Sequence, residues 1–198
     1  MIRYAAHEFL ETQEALRSKH AEIEMHGLFA EMAQDPALKN LIRNHQRIIL
    51  NAYQQGVNLL MGKGINVSAM PHMAQMRTVE QPTVGLHQPQ MAAPNPQPTQ
   101  LSDMTISTIM LNWHKAGSAV GMLWASECVD PQVRQYHING ANMCQEMAYE
   151  TWQYMNAKGY YQAPQLADHT MNTMINAFQQ PMAMTQQQSP QPQQPALY

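Results

Sequence analysis

Two stretches of this chain decide its fold: Asp130-Pro131-Gln132-Val133-Arg134, which opens a run of helical periodicity, and Tyr154-Met155-Asn156-Ala157-Lys158-Gly159-Tyr160-Tyr161, which closes it. Asp before Pro is a helix-start signature. The Asp side chain caps free backbone N–H groups, and proline at the first helical position gives up an N–H that has no partner there. Lys-Gly is a stop, because glycine takes the left-handed conformation that ends a helix. The same punctuation occurs earlier as Asp35-Pro36 and Lys63-Gly64, with each of the four residues 95 positions before its counterpart. A repeat that keeps four positions at one separation predicts a helical hairpin used twice.

The helix before each Asp-Pro is also legible. Residues 4–34 carry apolar or small side chains at Phe9, Leu16, Ile23, Gly27 and Ala30, and residues 102–129 at Ile106, Ile109, Trp113, Ala116, Val120 and Leu123. Both patterns fit a helical stripe. The second helix of the first hairpin carries Leu38, Leu41, Ile42, Ile48, Ile49, Ala52, Leu59 and Leu60. Two hairpins in one chain predict an all-α, four-helix bundle. Its parts are a first hairpin at 1–64, a linker at 65–100, a second hairpin at 101–164, a short docking helix at 165–178 and a Gln/Pro-rich tail at 179–198. The linker contains Pro71, Pro82, Pro89, Pro94, Pro96 and Pro98 but only Arg77 and Glu80 as charges, a composition that resists regular structure. At over 30 residues it is long enough to cross the bundle end to end. The tail lacks Asp, Glu, Lys and Arg and has too little apolar surface to offset the entropy of ordering, so it is expected to be disordered.

Composition narrows the function classes. Charged residues make up 13% of the chain and the net charge is −3, so there is no basic field for nucleic acid or an anionic membrane. Acidic residues at Glu8, Glu11 and Glu14 interrupt the N-terminus before a signal-type apolar stretch develops, and no window is apolar enough to span a bilayer. Cys128 and Cys144 lie 2 residues before and 14 residues after Asp130. In an antiparallel hairpin that mismatch is roughly 18 Å, far beyond disulfide reach.

The residues at 130–134 and 154–161 resemble the spore coat protein F family of endospore-forming bacteria, in which an Asp-Pro-x-x-Arg start and a Lys-Gly-Trp/Tyr-Tyr ending bound the last bundle helix. The resemblance covers roughly residues 102–164, and Tyr160 stands where Trp is expected. The first half reads as a degenerate copy. The resemblance implies a ferritin-like bundle made in the mother-cell cytoplasm and deposited in the spore coat. Other coat proteins or further copies of the chain are the implied partners, with no catalytic residues and no cofactor.

A ferritin-like fold also raises a dinuclear carboxylate site, which takes Glu from two helices and Glu-x-x-His from the other two. Residues 36–63 contain no Asp or Glu, and Glu-x-x-His occurs nowhere in the chain. A mononuclear, non-standard metal or redox site is the alternative. Its candidates are His20 and Glu24, one turn apart on the first helix, and His45 on the second. The plainer reading of His45 is a histidine at the core edge, hydrogen-bonded to a carboxylate. His137 and Cys144 share a helix face, but two ligands do not make a structural zinc site. Neither cysteine has a His one turn away, and no Gly-x-Ser-x-Gly or Gly-rich phosphate loop is present, so no enzyme is predicted and no metal or catalytic residue is assigned. Trp113, Trp124 and Trp152 are expected to pack in the core or at interfaces. Met70, Met73, Met76, Met91, Met182 and Met184 are candidate adhesive contacts. Finally, the acidic first helix (Glu8, Glu11, Glu14, Glu22, Glu24, Glu31) and basic second helix (Lys39, Arg43, Arg47, Lys63) are expected to pair.

Overall fold

The computed structural model describes residues 4–63, 82–87 and 93–178. Gly64, the methionines named above and the Gln/Pro tail lie outside these. Among the described residues the fold is all-α, with α1 at Ala6–Met32, α2 at Pro36–Leu60, α3 at Asp103–Glu127, α4 at Pro131–Ala157 and α5 at Asp168–Asn176. The chain divides into two compact units, Met1–Pro164 and Gln165–Tyr198. In the second, α5 forms as a short helix none of whose residues is buried.

Within the first unit α1 packs on α2 and α3 on α4, and all four helices share one apolar core. Phe29 and Ala30, Leu38 and Ile42, Ile106 and Met110, and Tyr154 and Met155 meet there. Burying each large side chain stabilises the fold by about 1.5–3 kcal/mol. The Asp caps work as their sequence predicts. Asp35 accepts from the Ala37 N–H at 2.8 Å and Asp130 from the N–H groups of Gln132 and Val133 at 2.7 and 3.2 Å. α4 closes on Gly159 (φ 74°), with the Tyr160 N–H reaching back to the Met155 carbonyl. α2 closes earlier than expected, on Gly62 (φ 67°), with the Lys63 N–H bonded to the Asn58 carbonyl. Both glycines form the same helix-ending turn. The 95-residue spacing thus holds at the helix starts and slips by two residues at the ends.

The spacing returns in a pair of contacts that composition does not reveal. Glu8 in the first turn of α1 accepts from the N–H groups of Val129 and Asp130, at 2.8 and 2.9 Å, in the α3–α4 turn. Asp103, 95 positions later at the start of α3, accepts from Gln34 and Asp35, at 2.9 and 3.0 Å, in the α1–α2 turn. Each hairpin clamps the turn of the other. These contacts also fix direction: α1 begins where α3 ends, and α3 begins where α1 ends. Because α2 finishes near Tyr4, whose hydroxyl donates to the Leu59 carbonyl at 2.6 Å, the α2–α3 connection joins opposite ends of the four helices. The described part of that connection forms no helix, in line with its composition, but it bonds to α4 and the segment after it. The Asn156 side chain accepts the Thr83 N–H and donates to the Thr83 carbonyl, and the Gly85 N–H donates to Ala163. One amide that is both donor and acceptor supplies what a helix or strand partner would.

The periodicity of α1 and α3 is phased differently from the sequence reading. α1 buries Glu8, Thr12, Ala15, His26, Phe29 and Ala30, while Phe9 is exposed. α3 buries Ile106, Ser107, Met110, Leu111, His114, Gly121 and Ala125, leaving Val120 and Leu123 exposed. Polar side chains occupy core positions in both, so hydrophobicity alone misplaces the face. The charge expectation is met by one inter-helix pair, Arg43 to Glu31 at 2.9 Å on the exposed surface, worth about 0–1 kcal/mol.

Asp35 also ties the hairpins together, accepting from Lys158 Nζ at 2.8 Å and from the Tyr154 hydroxyl at 3.1 Å. The Lys158 ammonium holds its carboxyl below the ordinary 3.8 despite partial burial. A depressed folded-state value means this contribution is present above about pH 3.8 and fades as pH falls further. Asp35→Asn is therefore expected to cost about 1–2 kcal/mol at pH 7 and much less at pH 3, as measured by urea unfolding at both pH values. An equal cost at both would contradict the pairing.

Candidate functional site

Between the apolar layers lies a polar one. On α2, His45 falls one turn after Ile42 and one turn before Ile48 and Ile49. On α1, His26 falls one turn before Phe29. On α3, His114 falls one turn after Met110. Each is in phase with core residues, and all three side chains are fully buried. Their ring centroids lie 6.3 Å (His26–His45), 5.7 Å (His26–His114) and 5.2 Å (His45–His114) apart. α4 adds Glu150, whose Oε2 is 2.7 Å from His45 Nε2. Burial lowers all three imidazoles: His45 to about 3, His26 by burial against the opposing bond from its Nδ1 to the Glu22 carbonyl, and His114 by burial and the other two rings. The rings are neutral at pH 7. Burial raises the Glu150 carboxyl.

The hydrogen bonds fix the tautomers. A carbonyl only accepts, so the bond of His26 Nδ1 to the Glu22 carbonyl at 2.7 Å puts the proton on Nδ1 and the lone pair on Nε2. With the Glu150 carboxylate accepting, His45 donates from Nε2 and keeps its lone pair on Nδ1. His26 Nε2, His45 Nδ1 and both nitrogens of His114 are buried without a hydrogen-bond partner. An unsatisfied buried polar atom costs about 1–3 kcal/mol.

The proposed set of His20, Glu24 and His45 does not form. His20 and Glu24 do pair, at 3.3 Å, but on the exposed surface, whereas His45 points into the core. The plainer reading of His45 holds in kind, with Glu150 rather than Glu24 as the carboxylate and full burial in place of an edge position. The dinuclear carboxylate site that a ferritin-like fold suggests does not fit this interior, whose polar layer is three imidazoles and one carboxylate already engaged by His45. His26, His114 and Glu150 were not singled out from sequence; the available signal was their phase with Phe29, with Met110 and Leu111, and with Met147 and Tyr154.

His137 and Cys144 do share a face. Both border a cavity of about 350 Å³ between α1, α3 and α4, alongside Trp113, Trp124 and Lys19. His137 Nε2 lies 3.1 Å from Thr12 Oγ1, whose own hydrogen goes to the Glu8 carbonyl, so His137 is the donor. The tryptophans pack as expected: Trp113 stacks on Phe29 and Trp152 on Tyr149, and Trp124 meets His137 edge-on. Both cysteines are free. Burial pushes the Cys144 thiol up to about 12, and burial with the charges of Glu8, Glu11 and Asp130 pushes Cys128 to about 11. Because the thiolate is the reactive form, native protein at pH 8 is expected to react with a disulfide reagent at least about 100-fold more slowly than protein unfolded in guanidinium chloride. Comparable rates would contradict the burial.

The fold and this interior define an all-α protein of two clamped helical hairpins around a buried polar layer. Residues 102–164 match the family model of the Coat F domain. The chain is similar to the spore coat protein F-like protein YhcQ of Bacillus subtilis (strain 168), 25% identical over 172 residues that cover 87% of this chain and 79% of that protein. Its fold matches the crystal structure of a candidate spore coat protein from Bacillus halodurans C-125 with a TM-score of 0.62, at 16% identity, over 84% of this chain and 97% of that one.

Proposed function

We propose that this chain is a non-enzymatic structural component of the bacterial endospore coat, made in the mother-cell cytoplasm and acting through assembly with other coat proteins and with itself. The observation that carries the reading is the Coat F match over residues 102–164, which takes in α3 and α4 together with the Asp130 and Gly159 caps of α4. We read the first unit as a ferritin-like four-helix bundle of two pseudo-repeated hairpins joined by a long crossover. The reciprocal Glu8 and Asp103 clamps, 95 positions apart, support the repeat. The opposite-end connection between α2 and α3 supports the crossover.

An assembly role is supported by apolar side chains on the surface of α3 and its turn, Val120, Met122, Leu123 and Val129, which solvent leaves free for contacts with partners. No described helix is long and apolar enough to cross a membrane. Extraction of purified spores with detergent and reductant tests the reading. The protein is expected in the coat extract and absent from decoated cores; recovery only from the mother-cell lysate would contradict it.

A further inference from the structure

We propose that His26, His45 and His114 bind one divalent transition-metal ion of the zinc class, holding three helices of the two hairpins together from inside. This goes beyond coat assembly and does not depend on it. One ring nitrogen from each histidine lies within 4.8 Å of the other two, and each of the three rings has at least one buried nitrogen without a hydrogen-bond partner.

The hydrogen bonds argue for a cation rather than for three idle rings. The Glu22 carbonyl and Glu150 each occupy one side of an imidazole and present the lone pair on the other. A carboxylate or carbonyl behind a ligating histidine is the arrangement that sets its tautomer and raises its basicity toward a metal. Three neutral rings cannot satisfy each other, because His26 Nε2 and His45 Nδ1 both need a donor and His114 has one N–H to give. A metal ion takes all three lone pairs at once.

The donor set selects the ion. Imidazole nitrogens suit zinc, cobalt, nickel and copper, whereas calcium and magnesium want several oxygens. Zinc–nitrogen bonds of about 2.1 Å in a tetrahedron place ligand atoms about 3.4 Å apart, so from separations within 4.8 Å the ligand atoms close by no more than about 1.4 Å. The fourth position is left to water. α1, α2 and α3 each give one ligand, while α4 supports His45 through Glu150, so binding couples every helix of the first unit.

The test uses full-length protein carrying no affinity tag. After loading with zinc and exhaustive dialysis, one zinc per chain is expected by elemental analysis, with a higher melting temperature than chelator-treated protein. Cobalt(II) is expected to give the intense visible absorption of a tetrahedral site, displaced by zinc. His45→Ala and His114→Gln are expected to lose the bound metal, whereas His20→Ala, on the surface, and His137→Ala, buried elsewhere, retain it. Glu150→Gln keeps a hydrogen-bond partner of similar size and is expected to bind about 10–100-fold more weakly. Should the histidine variants fail to fold, the wild-type cobalt spectrum and the Glu150→Gln affinity still decide. Wild-type protein that holds less than about a tenth of an equivalent, with no cobalt band and no thermal shift, overturns the proposal. So does full binding by folded His114→Gln.

Discussion

Replacing Glu8 with alanine is expected to lower the stability of this protein by about 3–4 kcal/mol, more than any other single carboxylate change. The side chain is 1% exposed and accepts three backbone N–H groups, from Ala5 at 2.7 Å and from Val129 and Asp130. Burial pushes its carboxyl up, but those donors pull harder the other way and hold it below its ordinary value. Alanine would leave all three N–H groups without a partner at the point where the first hairpin grips the second. Asp103→Ala removes the equivalent clamp at a more exposed site and is expected to cost about 1–2 kcal/mol. Urea unfolding of the two variants checks the order; a Glu8 variant within 1 kcal/mol of wild type, or less affected than Asp103→Ala, would contradict the clamp.

Gly56→Ala is the second. In an ordinary helix interior this change would stabilise by about 1 kcal/mol. Here a β-carbon would sit 2.3 Å from the Tyr136 hydroxyl oxygen, 2.7 Å from its ring and 2.8 Å from a methyl of Leu16. Tyr136 cannot simply swing aside, since it is fully buried and donates to the Ala52 carbonyl at 3.2 Å. Overpacking therefore outweighs propensity, and the net effect is expected to be a loss of about 2 kcal/mol. A melting temperature at or above that of wild type would show that α2 and α4 are not in this close contact.

Much of the fold was legible because caps and stops are local chemistry. Asp35-Pro36, Asp130-Pro131 and Lys158-Gly159 need only their neighbours to act, and they act as read. The stop after α2 was misplaced at Gly64 because Gly62 offers the same conformational freedom two residues earlier, and nothing local ranks one glycine above another. The faces of α1 and α3 were misplaced for a longer-range reason. Glu8 and Thr12 are polar by composition, and partners 121 to 125 positions away, in the α3–α4 turn and on α4, accept them into the interior, while His26 and His114 meet each other only across packed helices. His45 could be noticed because the apolar stripe of α2 is dense enough to show it in phase. His26 and His114 sit on helices whose buried stripes are interrupted by polar residues, so the imidazole cluster was visible only once three helices were packed together. The ordered contact of Thr83 with Asn156 escaped for the same reason.

The interior and the family match lead to one question about where the protein goes. Imaging a fluorescent fusion of the full chain through sporulation answers it most directly. Signal is expected to leave the mother-cell cytoplasm, gather around the forespore and stay with the released spore. Signal that remains diffuse in the mother cell, or that appears only in vegetative cells, would contradict a coat component.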